Sequence, residues 1–150
     1  MGTVKVAVIQ AASVLFDKAA SVAKACDLIE QAGNNGSKII LLPEAFVPAY
    51  PRGFTFGMKI GSRNEAGRAL WKRYWENAIS ASDPEIKTLG KAARDAGVYV
   101  AIGVIERDGA SGGETLYCSM FYFSPDGELI GKHRKLKPTG SERLIWGEGD

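Results

Sequence analysis

The sequence is poor in the residues from which several kinds of site are built. Its 150 residues include two cysteines, Cys26 and Cys118, and one histidine, His133. Two cysteines are too few for a disulfide scaffold, and their positions among apolar residues favour packing roles for both. His133 lies between basic neighbours, and no Ser-His-Asp set or metal cluster can be nominated around it.

Excess charge and long apolar runs are also lacking. The net charge is +2, from 19 basic and 17 acidic residues, which is too small to indicate a nucleic-acid or anionic membrane partner. No apolar run approaches the roughly 20 residues of a membrane span, and the first residues do not resemble a secretory signal. We therefore expect a cytoplasmic protein, and we interpret the short basic run at residues 131–137 as a solvated strand face.

The order of apolar patterns predicts an α/β fold with a mixed sheet. We predict strands at residues 3–12, 38–42, 98–106, 116–123 and 128–136, and helices at residues 17–31, 62–82 and 84–96. The first strand, helix and strand form a β-α-β unit, so these strands should be parallel. The run at residues 38–42 is typical of a strand covered on both faces, and "SPDG" between the last two strands indicates a hairpin. The sequence stops at Asp150 without a closing element, so we expect the native chain to continue.

Three charged residues stand near predicted strand ends or turns. Glu44 follows the apolar run "IILLP", and sites in open α/β sheets lie beyond the carboxyl ends of the strands. Lys135 lies at the end of the last strand, where alternation puts Lys132 and Arg134 on the opposite face. Glu142 follows the turn "PTG". Each residue taken alone is also consistent with an ordinary surface position.

Taken together, three segments closely resemble the nitrilase branch of the carbon–nitrogen hydrolase superfamily. They are "VKVAVIQAA", "LPEAFVPAYPRGFTFG" and "HRKLKPTGSERLIWGEGD". The resemblance implies an α-β-β-α sandwich and a Glu-Lys-Cys catalytic set, with Glu44 as the glutamate, Lys135 as the lysine and Glu142 as a second, supporting glutamate. The family's cysteine stands in a "CWE"-like motif that this sequence lacks, and neither Cys26 nor Cys118 matches it.

The resemblance thus implies that residues 1–150 form the N-terminal portion of a single domain, with an incomplete sheet and the nucleophile elsewhere. The activity it implies is hydrolysis of organic nitriles to carboxylic acid and ammonia, without metal or organic cofactor. It also implies a homo-oligomer, either a dimer or a larger spiral, and we name Tyr50, Arg52 and Phe54 as candidate substrate-pocket residues. Two alternatives remain open: an amidase of the same superfamily, and a catalytically silent structural or assembly piece.

Overall fold

The fold follows the predicted order of elements. The computed structural model describes residues 2–59, 64–109 and 114–150. Its elements, in chain order, are β1 (Val6–Val8), α1 (Lys18–Asn34), β2 (Ile39–Leu41), α2 (Glu65–Glu76), α3 (Pro84–Ala96), β3 (Tyr99–Arg107), β4 (Leu116–Phe123), β5 (Leu129–Arg134) and a 3-10 helix, Gly140–Leu144. The predicted β-α-β-α-α-β-β-β order is confirmed, although β1 is much shorter than the strand predicted at residues 3–12.

The five strands form one mixed sheet in the order β1-β2-β3-β4-β5. The pairs β1–β2 and β2–β3 are parallel, while β3–β4 and β4–β5 are antiparallel. The parallel β-α-β unit and the final hairpin are thus both confirmed. The hairpin turn is closed by a hydrogen bond from the Gly127 amide to the Ser124 carbonyl, with Gly127 at a φ of 83°.

Local sequence signals account for the ends of α1 and α3. The Asp17 side chain accepts a hydrogen bond from the Ala20 amide and so caps the first turn of α1. Helix α3 has Pro84 in its first turn and is followed by the C-cap residue Gly97, which takes the left-handed conformation with a φ of 64°. The predicted helix boundaries at Asp83 and Gly97 are therefore confirmed.

Helix α2 is shorter than predicted. It covers Glu65–Glu76 rather than residues 62–82, and residues 62 and 63 of that prediction lie outside the described part of the chain. The Asn64 side chain caps the helix by accepting from the Gly67 amide, and Asn77 is the C-cap residue that follows Glu76. Beyond it, Ile79 instead forms a parallel bridge to Glu106 at the end of β3. This extra pairing with the sheet explains why the helical pattern stops early.

The main core lies between the sheet and the two helices α1 and α3. Ile29 of α1, Leu89 of α3 and Ile102 of β3 are fully buried there. The opposite face of the first strands is open in the described chain, since Ile39 and Leu41 of β2 are 45% and 39% exposed. The prediction that this strand is covered on both faces is therefore wrong for the described chain, because α1 and α3 cover only one side of β2.

None of the described helices is both long enough and apolar enough to cross a lipid bilayer.

Candidate active site

Three predicted site residues meet beyond the carboxyl end of β2. The Lys135 ammonium lies 3.0 Å from Glu44 Oε1 and 2.9 Å from Glu142 Oε2. Glu44 and Lys135 are 91 residues apart in sequence, so the fold brings them together. A cation between two carboxylates, facing an open crevice, can stabilise negative charge and accept or deliver protons.

Glu44 owes its position to a close approach between two backbone segments. β2 ends at Leu41, and the chain turns sharply because Ala45 has a φ of 51°. The turn packs against Gly103 of β3, where an added Cβ would lie 2.6 Å from Glu44 Cα. Only glycine leaves room for this contact. Gly103 therefore fixes how near the carboxylate stands to the sheet.

Substituting Gly103 should displace Glu44. In the full-length protein we expect Gly103→Ala to lower kcat/KM about 10- to 100-fold, because misplacing a catalytic group by about 1 Å is this costly. The measurement is steady-state kinetics beside thermal unfolding. The matched control is Gly131→Ala in β5, where the new Cβ would meet nothing nearer than Tyr122 Cδ2 at 3.8 Å. Equal activity in the two variants would contradict this account of Gly103.

A short capped turn holds Glu142. The Thr139 amide donates a hydrogen bond of 2.6 Å to Glu142 Oε2, in a capping box at the start of the 3-10 helix. The Tyr50 hydroxyl donates to the other oxygen, Oε1, at 2.8 Å. Both oxygens of Glu142 are thus engaged, and its carboxylate has a fixed direction toward Lys135.

The charges of this cluster support one another. Burial alone would lower the pKa of Lys135, but its hydrogen bonds to Glu142 and Glu44 raise that pKa well above its ordinary value. Burial likewise opposes ionisation of Glu142, yet the bonds from Thr139, Lys135 and Tyr50 lower its pKa overall. Lys135 is therefore a persistent cation and Glu142 a persistent anion near neutral pH.

Glu44 is less enclosed than a buried catalytic carboxylate would be. Its side chain is 50% exposed, against 10% for Glu142. Half of the Glu44 side chain is therefore open to solvent in the described chain. The reason is the uncovered face of the sheet, since nothing in the described ranges packs over the crevice that Glu44 faces.

Two of the three candidate pocket residues line one groove. Tyr50 and Phe54 face Glu142 and Trp146 across a cavity of about 290 Å³ between the loop after Glu44 and the 3-10 helix. Tyr50 meets the Trp146 ring edge-on at 5.6 Å between centroids. Arg52 is exposed and does not line this groove. The geometry therefore keeps Tyr50 and Phe54 as candidates and separates Arg52 from them.

Cys118 also belongs to the site. Its side chain is buried in an apolar cluster, as the packing interpretation requires. Yet its thiol donates a hydrogen bond to Glu44 Oε1 over 3.4 Å. Cross-strand register accounts for this contact, because Cys118 pairs with Ile105 in β3 and its carbonyl accepts from the Lys135 amide.

Sequence reasoning missed a buried ionic cluster on the reverse face of the same strands. Glu106 of β3 is 1% exposed and lies in a fork formed by Arg134, whose Nε and Nη2 approach its oxygens at 3.0 and 2.8 Å. Lys132 and Ser119 complete the shell of Glu106. The interpretation of the basic run as a solvated face is therefore wrong for Arg134, because cross-strand register brings this buried residue onto a buried carboxylate. Lys132 remains exposed, although its ammonium also contacts Glu106.

Removing that carboxylate should be costly to stability. In the full-length protein we expect Glu106→Ala to lower the free energy of unfolding by about 3–5 kcal/mol, because Arg134 would remain buried without its main partner. Burial opposes ionisation of Glu106, but its partners lower its pKa overall. The stabilisation by ionised Glu106 is thus fully present at pH values above the ordinary pKa of a glutamate. It is lost as the pH falls through the lowered pKa of Glu106 in the folded protein.

The matched control is Glu76→Ala, which breaks an exposed pair with Lys72 and should change stability by less than about 1 kcal/mol. Urea unfolding of both variants at neutral and acidic pH measures the difference. Similar losses for the two variants would contradict the role given to Glu106.

Comparison with known proteins places the chain in a family. The sequence profile of the carbon–nitrogen hydrolase family matches residues 5–150. The chain belongs to the carbon–nitrogen hydrolase family. It is 44% identical over 148 residues to Nitrilase 1 of Arabidopsis thaliana, and 48% identical over 146 residues to an aliphatic nitrilase of Sinorhizobium fredii (strain HH103). These alignments cover 99% and 97% of this chain.

The same comparisons define how much of such a protein the chain represents. It spans 42% and 46% of the lengths of those two relatives. An amidase structure from Nesterenkonia sp. superposes with a TM-score of 0.72 over 98% of this chain and 48% of its own, at 18% identity. The chain therefore has the family's α/β fold and spans about half the length of its relatives.

Within the described ranges, no group of three or more His, Cys, Asp or Glu residues is arranged to hold a metal ion.

Proposed function

We propose that this chain supplies the base and the cation of a nitrilase, which hydrolyses organic nitriles to carboxylic acids and ammonia. The observation that carries the proposal is the position of the Lys135 ammonium between the Glu44 and Glu142 carboxylates. The identity of 44% and 48% to proteins named as nitrilases supports nitriles as the substrate class.

The chemistry requires a thiol as nucleophile, because a nitrile carbon is a weak electrophile. Following the motif argument, we place that thiol outside residues 1–150. Glu44 takes its proton as the sulfur attacks the nitrile carbon, and the nitrile nitrogen is protonated to give a thioimidate. Having given the thiol proton to that nitrogen, Glu44 deprotonates a water that adds to the carbon and passes this proton to the nitrogen as well. The hydroxyl proton of the tetrahedral species then moves to the nitrogen through Glu44, the carbon–nitrogen bond breaks, and ammonia leaves.

The remaining acyl-enzyme is a thioester. Glu44 deprotonates a second water, which attacks the carbonyl carbon. The carbon–sulfur bond then breaks to release the acid, and Glu44 returns the proton to the sulfur. Lys135 stabilises the charge that develops in each tetrahedral state. Glu142, held by Thr139 and Tyr50, orients the ammonium. These steps use no metal or organic cofactor.

The homo-oligomeric state implied by the family resemblance stays a prediction.

An amidase of the same family is the second candidate. The solved amidase shares the fold at 18% identity, and an amide would enter the same sequence at the tetrahedral stage. The test is ammonia release by the full-length protein from a nitrile and from its matching amide. Faster release from the nitrile supports the proposal, and release from the amide alone would make the protein an amidase.

A catalytically silent structural or assembly piece is the remaining alternative. It predicts no ammonia from either compound, even with protein whose thermal unfolding is cooperative.

A further inference from the structure

The hydrogen bonds to Glu44 are distributed unevenly between its two oxygens. Lys135 Nζ and Cys118 Sγ both approach Oε1, at 3.0 and 3.4 Å. Among residues 2–59, 64–109 and 114–150, nothing donates to Oε2. A carboxylate held by one oxygen presents the other as its free proton acceptor.

Cys118 is suited to donate rather than to attack. It is 6% exposed in β4, and the backbone around it is fixed by pairing with both β3 and β5. Burial, followed by the nearby Glu44 carboxylate, raises the pKa of this thiol to about 12. The thiol therefore keeps its proton at neutral pH and is a poor nucleophile there.

We propose that Cys118 is a positioning residue for Glu44, which fixes the carboxylate through Oε1 and leaves Oε2 directed at the crevice to take the proton. This inference deepens the proposed function and rests on Glu44 acting as the base. A thiol donor contributes less to the carboxylate than Lys135 does. Unlike Lys135, however, Cys118 lies within a strand that is paired on both sides. Its thiol can therefore fix the direction of the Glu44 carboxylate without adding a charge.

Space filling alone is the competing explanation, because Cys118 also packs in the cluster around Ile105 and Leu116. Two substitutions separate the explanations. Cys118→Val fills the space and removes the donor, while Cys118→Ser keeps a donor in a smaller side chain. Cys118→Ala provides a second donor-free state should the valine variant not fold.

The first readout is the pH dependence of kcat/KM in the full-length protein. A hydrogen bond to the charged carboxylate favours ionisation, so its loss should move the acid limb to higher pH. We expect a shift of about 0.5–1 pH unit and a fall in kcat of about 3- to 10-fold for Cys118→Val. Cys118→Ser should keep the wild-type limb. The charged and titratable groups facing Glu44 are Lys135, Glu142, Tyr50 and His133, and they are unchanged in every variant.

The second readout does not depend on activity. It is the titration of the Glu44 carboxyl carbon by 13C NMR in full-length protein labelled at the glutamate carboxyl, with Glu44→Gln identifying the signal. The donor-free variants should titrate at higher pH than wild type and the serine variant. The control is Cys26→Val in α1, which should leave both readouts unchanged. This titration needs no turnover, so it tests the positioning role of Cys118 separately from the nitrilase proposal. Failure of the nitrilase proposal would instead appear as wild-type protein that is inactive.

Equal titrations in wild type and the donor-free variants would overturn the positioning role. Equal shifts in the valine and serine variants would also overturn it, since they would indicate packing alone.

Discussion

Glu44→Gln should abolish nearly all turnover in the full-length protein while leaving the fold intact. We expect kcat to fall by about 10²- to 10⁴-fold, the usual contribution of a general base. The amide has the shape of the carboxylate and can still accept from Lys135, but it cannot take the proton of the nucleophilic thiol. Because the Glu44 side chain is half exposed, unfolding should change little.

The pH dependence of the residual activity tests the proton-transfer role. A free thiol ionises near pH 8.5, so the residual rate of the glutamine variant should rise as pH approaches that value. The control is Glu30→Gln, at an exposed position in α1, which should match wild type. Near wild-type activity at pH 7 in the Glu44 variant would refute the assignment of Glu44 as the base.

Lys135→Ala should be similarly damaging, for a different reason. Loss of the ammonium removes the stabilisation of each tetrahedral state, an effect worth about 10²- to 10³-fold in kcat. It also leaves the Glu44 and Glu142 carboxylates facing one crevice without their cation. We expect the loss mainly in kcat, with a smaller change in KM, because the charge is needed after the substrate has bound.

Lys137→Ala is the matched control for Lys135. Lys137 is two residues away, 70% exposed and paired with exposed Glu148, so its removal should leave kcat within about two-fold of wild type. Because the pKa of Lys135 is raised, Lys135 should stay protonated between pH 7 and 9. The wild-type rate should therefore not fall in this range through deprotonation of Lys135. Equal kinetics in the two lysine variants would show that Lys135 has no special function.

Local patterns were enough to predict the order of the elements. The apolar run before Glu44, the proline and glycine around α3 and the "SPDG" hairpin are short-range signals. Glu44, Lys135 and Glu142 came from motif resemblance, and the structure places them together. Their convergence depends on the parallel β2–β3 pairing, which the sequence did not specify, and on the β4–β5 hairpin, which it indicated.

What could not be predicted depends on contacts across the sheet. Glu106 is at the end of an apolar strand, and only the register of β3, β4 and β5 shows that Arg134 and Lys132 reach it. The same register puts Cys118 beside Glu44. The early end of α2 likewise follows from the pairing of Ile79 with β3. Single-sequence patterns carry no information on these distant partners.

The central claim is that Glu44 and Lys135 serve a thiol that is neither Cys26 nor Cys118. Its most direct test is to acid-quench the full-length protein during turnover of a nitrile and map the covalent adduct by peptide mass spectrometry. We predict a thioimidate or thioester on a cysteine outside residues 1–150, and about 100-fold or more slower formation of that adduct in Glu44→Gln. An adduct on Cys118 or Cys26, or an undiminished adduct in the Glu44 variant, would contradict the account.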